Sequence, residues 1–107
     1  MSMLIFKTLD PKNSGMVNIN NNNILQQFDE KPENPKGDLA NGAIYILSNK
    51  FLCKINNKSY KDFSVEVIPR FLKKINCYKT DKFFIDIGNP ANYKIANAKI
   101  SNGKLNK

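Results

Sequence analysis

Three short strings hold the side chains with chemistry in them. Asp86 lies inside Phe83-Phe84-Ile85-Asp86-Ile87-Gly88-Asn89-Pro90, where four apolar residues flank one acid. Glu30-Lys31 sets a carboxylate beside an ammonium just before Pro32, and Asn41-Gly42 opens the uncharged run Ala43–Leu47. A buried unpaired carboxylate costs roughly several kcal/mol unless a cation or hydrogen-bond donors meet it. In open α/β sheets, ligands gather at the carboxyl ends of strands. Two readings of Asp86 therefore stand: it faces a metal–phosphate site, or it accepts hydrogen bonds from the turn that follows. Taken alone, Glu30-Lys31 is a solvated pair worth at most about 1 kcal/mol. The Asn41 amide can bond a hydroxyl or only its own turn, and Gly42 permits close approach of a ligand or a second backbone.

Other chemistries are excluded. There is no histidine, so Ser-His-Asp and Cys-His mechanisms cannot be built within this chain. Cys53 and Cys77 stand apart with no neighbouring ligand, which argues against a zinc site and for two reduced thiols. The 107 residues carry a net charge of +8, from 17 Lys and Arg against 9 Asp and Glu. Such a charge suits an anionic partner. The lysines are scattered, however, with no run longer than Lys73-Lys74. A solvated surface accounts for them better than a nucleic-acid face, and a small basic nucleic-acid-binding protein is the remotest alternative. No apolar run approaches the ~20 residues of a membrane span, and Met1–Leu9 lacks the marks of a signal peptide. The expected setting is the cytoplasm, with no membrane partner.

The elements that must position these strings read as follows. Met3–Phe6 is a buried strand ending near Thr8, and Asp10–Gly15 is a turn. Met16–Ile19 and Ile24–Phe28 form a hairpin around Asn20–Asn23, because Asn tolerates left-handed backbone. Glu33–Asp38 is an exposed loop, and Ala43–Leu47 a central strand. Ser48 caps a short helical turn through Cys53. Phe63, Val67, Ile68, Phe71, Leu72 and Ile75 recur at helical spacing, predicting a core-packing helix interrupted at Pro69. Cys77–Thr80 and Phe83–Asp86 read as two short strands. Gly88 then frees the backbone for a sharp turn, Asn89 caps a helix, Pro90 starts it and Tyr93 packs it. Strands followed by helix, hairpin and helix make an α/β arrangement without the leading βαβ units such sheets usually have.

Five strings in this order resemble the sugar-phosphate nucleotidyltransferase family, the NDP-sugar pyrophosphorylases. They are Gly15-Met16-Val17, Phe28-Asp29-Glu30-Lys31-Pro32, Ala40-Asn41-Gly42-Ala43-Ile44-Tyr45, Asp62-Phe63-Ser64 through Val67-Ile68-Pro69-Arg70, and Phe84-Ile85-Asp86-Ile87-Gly88-Asn89-Pro90 with Tyr93. The bacterial mannose and heptose 1-phosphate guanylyltransferases look nearest. The resemblance implies an enzyme that joins a nucleoside triphosphate (NTP) to a sugar 1-phosphate, giving NDP-sugar and pyrophosphate for cell-surface glycan precursors. It implies that Asp86 is one of two aspartates holding Mg²⁺, that Lys31 grips the sugar phosphate, that Glu30 accepts from sugar hydroxyls, and that Asn41 with Gly42 lines the sugar pocket. Three positions depart from the family: Lys82 and Ala43 where glycine is usual, and Phe84 where tryptophan is common.

The family's Gly-rich nucleotide loop and second metal aspartate are absent from these 107 residues. The expected fold is therefore the C-terminal half of a Rossmann-like mixed-sheet nucleotidyltransferase domain, with the sheet incomplete. Residues 1–100 would form this sugar-binding half and residues 101–107 a polar tail. The chain would be a truncated, split or deliberately cut product, inactive alone, with the exposed edge of Met3–Phe6 demanding an N-terminal half or a homo-oligomer. The alternative is a non-catalytic sugar-phosphate-binding or regulatory remnant.

Overall fold

The computed structural model describes residues 1–56 and 58–103. Five strands form one mixed sheet: β1 (Ser2–Lys7), β2 (Gly15–Ile19), β3 (Leu25–Glu30), β4 (Leu39–Ile46) and β5 (Asn76–Lys79), side by side as β3-β2-β4-β1-β5. Helix α1 (Asn49–Asn56) lies between β4 and β5, and α2 (Pro90–Ser101) follows the last strand. This is a mixed α/β fold.

Alternation along β1 builds the core. Met3 and Ile5 are buried on one face, where Leu25, Ile68, Ile75 and Cys77 join them. Phe6 points to the other face and forms a second cluster with Met16 and Ala40, against which Phe84 packs. β1 runs antiparallel to β4 and parallel to β5, so both of its edges are paired. The expectation that Met3–Phe6 is an open edge is thereby corrected.

The hairpin forms as its Asn run requires. Asn20 Oδ1 accepts from the backbone N–H of Asn22 and Ile24 at 2.9 and 3.0 Å, and Asn23 adopts φ 62°. The start of β3 also reaches across to the chain around β5, with Leu25 N–H bonded to Ile75 O and Cys77 N–H bonded to Asn23 O at 2.9 and 2.8 Å. The sheet thus curls at that end. Ser48 Oγ accepts from Phe51 N–H at 3.1 Å, capping α1 and seating the buried Phe51 ring on Phe71.

Three elements differ from the sequence-based expectation. Phe63–Phe71 is not a regular helix but a π turn (Phe63–Val67) running into a 3₁₀ turn (Ile68–Phe71). Pro69 lacks the N–H that a continuing α-helix needs, and the tighter turn still buries Val67 and Ile68. Glu66 Oε2 reaches back to the Asp62 N–H at 2.7 Å while Asp62 Oδ1 accepts from Ser64 N–H at 2.9 Å. This reciprocal cap is one residue longer than in an α-helix, as the wider π turn demands.

Phe83–Asp86 forms no strand. It lies on the sheet face, with the Phe84 ring 4.6 Å from Phe6, and side chains rather than a neighbouring strand take up part of its backbone bonding. Helix α2 buries none of its residues, and Tyr93 is 54% exposed rather than packed. The helix is held at its first turn, and farther along Lys99 sits over the Phe83 ring. Ser101 still belongs to α2, and residues 104–107 of the expected tail lie outside the described residues. Among the described residues, no helix is long and apolar enough to cross a membrane.

Both thiols are free, Cys53 exposed and Cys77 buried. Burial pushes the Cys77 thiol up from 9.0 to about 11. Its folded form thus holds a proton that the unfolded chain gives up, so stability is expected to fall as pH rises from about 9 to about 11. Iodoacetamide should label Cys53 in the native protein and Cys77 only on unfolding. Mass mapping of the labelled peptides together with melts across that pH range checks both statements.

Candidate active-site cleft

The first candidate is set by β2 and β3. Gly15 pairs with Glu30 across the ladder, and a Cβ on Gly15 would come within 2.8 Å of the Phe28 ring and 3.2 Å of Glu30 Oε2. The missing side chain leaves room for the Glu30 carboxylate. The chain then turns at Lys31, which adopts φ 47° and donates its N–H to Ser14 O at 3.0 Å. Glu30 and Lys31 are both exposed, and neither forms an ion pair; among the described residues that distinction belongs to Lys7–Asp38 at 3.5 Å.

The second wall is a bulge in β4. Met3 pairs with Tyr45 but Ile5 pairs with Asn41, so β4 carries extra residues between these positions. Gly42 fits there because a Cβ would meet Leu4 O at 3.1 Å and the Phe84 ring at 3.3 Å. Ala43 follows with φ 59°. Asn41 holds the bulge from within: its Oδ1 accepts from Ala43 N–H at 2.8 Å and its Nδ2 donates to the Tyr45 hydroxyl at 2.7 Å. One amide hydrogen remains for a ligand. The Tyr45 ring stacks on Phe63 at 4.4 Å, tying the bulge to the π turn. Ala43→Gly is expected to stabilise the fold by about 0.5–1 kcal/mol by relieving the left-handed backbone, read as a raised melting temperature.

The third wall is the segment before α2. Asp86 is exposed, not buried among its apolar neighbours. Its Oδ1 accepts from Gly88 N–H at 2.8 Å, and Asn92 Nδ2 donates to its backbone oxygen at 2.8 Å. The turn-capping reading of Asp86 is thus met by one oxygen, while Oδ2 has no protein partner among the described residues. Gly88 does not adopt a positive φ; it is needed because a Cβ would stand 3.0 Å from Asp86 Oδ1. Asn89 caps α2 as expected, its Oδ1 accepting from Asn92 N–H at 2.8 Å.

These walls enclose one open cleft of about 490 Å³. Glu30, Lys31, Asn41, Gly42 and Asp86 all line it, with Phe6 and Phe84 as an apolar floor. Gly15 and Ser64 line it too. Neither was among the sequence-derived site candidates, although the strings Gly15-Met16-Val17 and Asp62-Phe63-Ser64 carried them. The cleft thus presents two carboxylates and one ammonium, a set suited to a hydroxylated ligand bearing one phosphate. It does not make a metal centre by itself. Among the described residues, no three His, Cys, Asp or Glu side chains converge, and Asp86 offers a single carboxylate.

A family model described as nucleotidyl transferase matches residues 1–103. A glucose-1-phosphate adenylyltransferase of Lachnospira eligens is 36% identical over 93 residues, covering 80% of this chain and 22% of that protein. The enzyme of the same name from Mycoplasma mobile is 30% identical over 92 residues, covering 78% and 24%. A solved Bacillus anthracis protein, assigned as a glucose-1-phosphate thymidylyltransferase and crystallised with a sucrose, superposes with a TM-score of 0.73 at 22% identity, over 99% of this chain and 45% of that one. This last likeness is one of fold. The chain spans less than half the length of each, and these relatives bear glucose names rather than the mannose or heptose names expected from the strings. With its matching residues running from the first strand through α2, this chain belongs to the nucleotidyl transferase family.

Proposed function

We propose that this chain is the sugar-1-phosphate-binding part of a nucleotidyltransferase that joins an NTP to glucose 1-phosphate, releasing pyrophosphate, in the cytoplasm. The observation that carries the reading is the meeting of Glu30, Lys31, Asn41, Gly42 and Asp86, drawn from three separate strings, in one cleft. Residues 1–100 serve as this part.

Lys31 holds the phosphate as a point charge on a flexible stem. Glu30 accepts hydrogen bonds from sugar hydroxyls, and the remaining Asn41 amide hydrogen donates to one. Gly42 lets the sugar approach the backbone, and the Phe6–Phe84 floor carries its apolar face. Together these groups fix the sugar phosphate in position, which is the larger part of what a protein contributes to such transfers. Enzymes of this family generally use a divalent metal. Asp86 Oδ2 is free to be one ligand of Mg²⁺, but the donors here do not complete a site, and a second carboxylate must come from elsewhere. The chain alone is therefore expected to bind and not to catalyse.

A role in binding only, as a regulatory remnant, is the second reading, favoured by Asp86 being the one carboxylate that the cleft sets at the turn before α2. Calorimetric titration of the chain with glucose 1-phosphate, against glucose and inorganic phosphate, tests the shared core of both. Tighter binding of glucose 1-phosphate than of either component is expected. Equal binding of phosphate alone, unchanged in Glu30→Gln, would overturn the sugar-phosphate assignment.

A further inference from the structure

Helix α1 turns one aromatic inward and leaves an aliphatic outside. The buried Phe51 ring stacks on Phe71 at 4.5 Å, and Phe71 packs against the main core. Leu52 and Cys53, the next two residues round the helix, therefore face outward and are exposed. The chain then doubles back. Lys58 N–H bonds Ile55 O at 3.4 Å, and Tyr60 N–H bonds Lys58 O at 3.1 Å. This return sets the half-buried Tyr60 beside the helix. An open groove of about 570 Å³ lies there, walled by Leu52, Cys53, Ile55 and Tyr60 with Asn56 and Lys58 beside them. It shares no lining residue with the cleft of Glu30, Lys31 and Asp86.

The charge around this groove has one sign. Lys50 and Lys54 lie on α1, Lys58 lines the groove, Lys61 follows Tyr60, and the Arg70 guanidinium lies over the Tyr60 ring, 5.8 Å from its centre. All five side chains are exposed. The acids of this stretch, Asp62 and Glu66, are turned to the backbone. Asp62 Oδ1 accepts from the N–H groups of Ser64 and Val65, and Glu66 Oε2 from those of Lys61 and Asp62. Among the described residues the ion pair is Lys7–Asp38, so none of the five cations has a carboxylate partner. Residues 1–46 carry five acids and four lysines, so the net charge of +8 resides beyond them. Lysines that are scattered along the sequence are thus gathered by the fold around one groove.

Apolar walls within a cationic rim call for a ligand that is both apolar and acidic. We infer that this groove docks an acidic segment of another protein, which lays an apolar side chain between Leu52 and Tyr60 while its carboxylates meet Lys54, Lys58 and Arg70. The buried anchor supplies most of the affinity, and the exposed cations mainly speed and orient the encounter. Other anionic partners fit less well. A bilayer surface is flat, and Leu52 is the one large apolar side chain that α1 exposes to it. A single-stranded nucleic acid stacks its bases on open aromatic faces, and Tyr60, the one ring lining the groove, has Arg70 over it. A second copy of this chain brings a further net charge of +8 to the same rim.

The probe is a fluorescent glutamate-rich peptide bearing two phenylalanines one helical turn apart. Its binding to the whole chain is followed by anisotropy and by iodoacetamide labelling of Cys53, which lines the groove and is exposed. Binding is expected, and at saturation it should slow Cys53 labelling about tenfold or more. Lys54→Glu combined with Lys58→Glu should weaken binding about tenfold and flatten its salt dependence. Leu52→Ala should weaken it by a similar factor, about tenfold, and so should serine in place of the peptide's phenylalanines, a change that leaves the protein untouched. All three protein positions are exposed, so the melt of the lone chain should not move. No binding, binding that leaves Cys53 labelling unchanged, or binding indifferent to all of these changes overturns the site. Polyuridylate or phosphatidylserine vesicles that protect Cys53 as well as the peptide does overturn the choice of occupant, as does self-association that protects it.

Discussion

Lys31→Gly is expected to make the protein more stable and to remove its binding of glucose 1-phosphate. Lys31 sits at φ 47°, where a side chain costs roughly 1–2 kcal/mol. Its side chain is exposed and makes no ion pair, so little packing is lost with it. The backbone N–H that bonds Ser14 O is retained by glycine. Against the gain stands the greater freedom of glycine in the unfolded chain, leaving a net of about 0.5–1 kcal/mol. The binding effect has the opposite sign. Lys31 is the one cation lining the cleft, and without it a phosphate faces Glu30 and Asp86. A loss of at least about tenfold in affinity, or 1.4 kcal/mol, is expected. A thermal melt and a calorimetric titration of the same sample read both signs. Unchanged binding would mean that the phosphate is held elsewhere, and a lowered melting temperature would mean that the lysine stem contributes packing. A residue kept in a strained conformation at a stability cost is what a binding role predicts.

That strain is also why the cleft is only partly legible in the sequence. Glu30-Lys31 and Asn41-Gly42 are recognisable as strings, but no glycine marks Lys31 or Ala43, which line the cleft, as left-handed. The locally encoded elements were readable: β1 and β4 as apolar runs, the hairpin from its asparagines, α1 and α2 from the Ser48 and Asn89 caps. What failed depends on distant partners. An apolar run such as Phe83–Ile87 looks the same whether it enters a ladder or lies across a sheet face; only the position of Phe6 decides. The neighbours of β1 are equally non-local. Its apolar run led to the expectation of an open edge, which β5, some seventy positions later, pairs instead. Helical spacing in Phe63–Ile75 marked the buried face correctly, since Val67, Ile68 and Ile75 are all in the core, but π and 3₁₀ turns bury much the same residues.

The second large effect is expected at Ile5. Its side chain is fully buried among Met3, Leu25, Ile68 and Ile75, and its strand is bonded on both sides, to Asn41 and to Lys79. Ile5→Ala removes apolar contacts that a paired backbone cannot collapse to refill, so a cost near 3–4 kcal/mol is expected, within the range of about 2–5 for such changes. Small domains hold only about 5–15 kcal/mol in total, so the melting temperature should drop by roughly 10 °C or more. The cleft should loosen as well, because Phe6, the next residue, carries Phe84 and the cleft floor. Ile46→Ala provides the contrast. It removes the same atoms from a position 75% exposed, and its cost in the lone chain should stay within about 0.5 kcal/mol. Equal costs at the two positions would mean that the outer face is already covered in solution. A large cost at Ile5 and a negligible one at Ile46 would mean that the inner face carries the stability of the sheet while the outer face around Ile46 is bare in the lone chain.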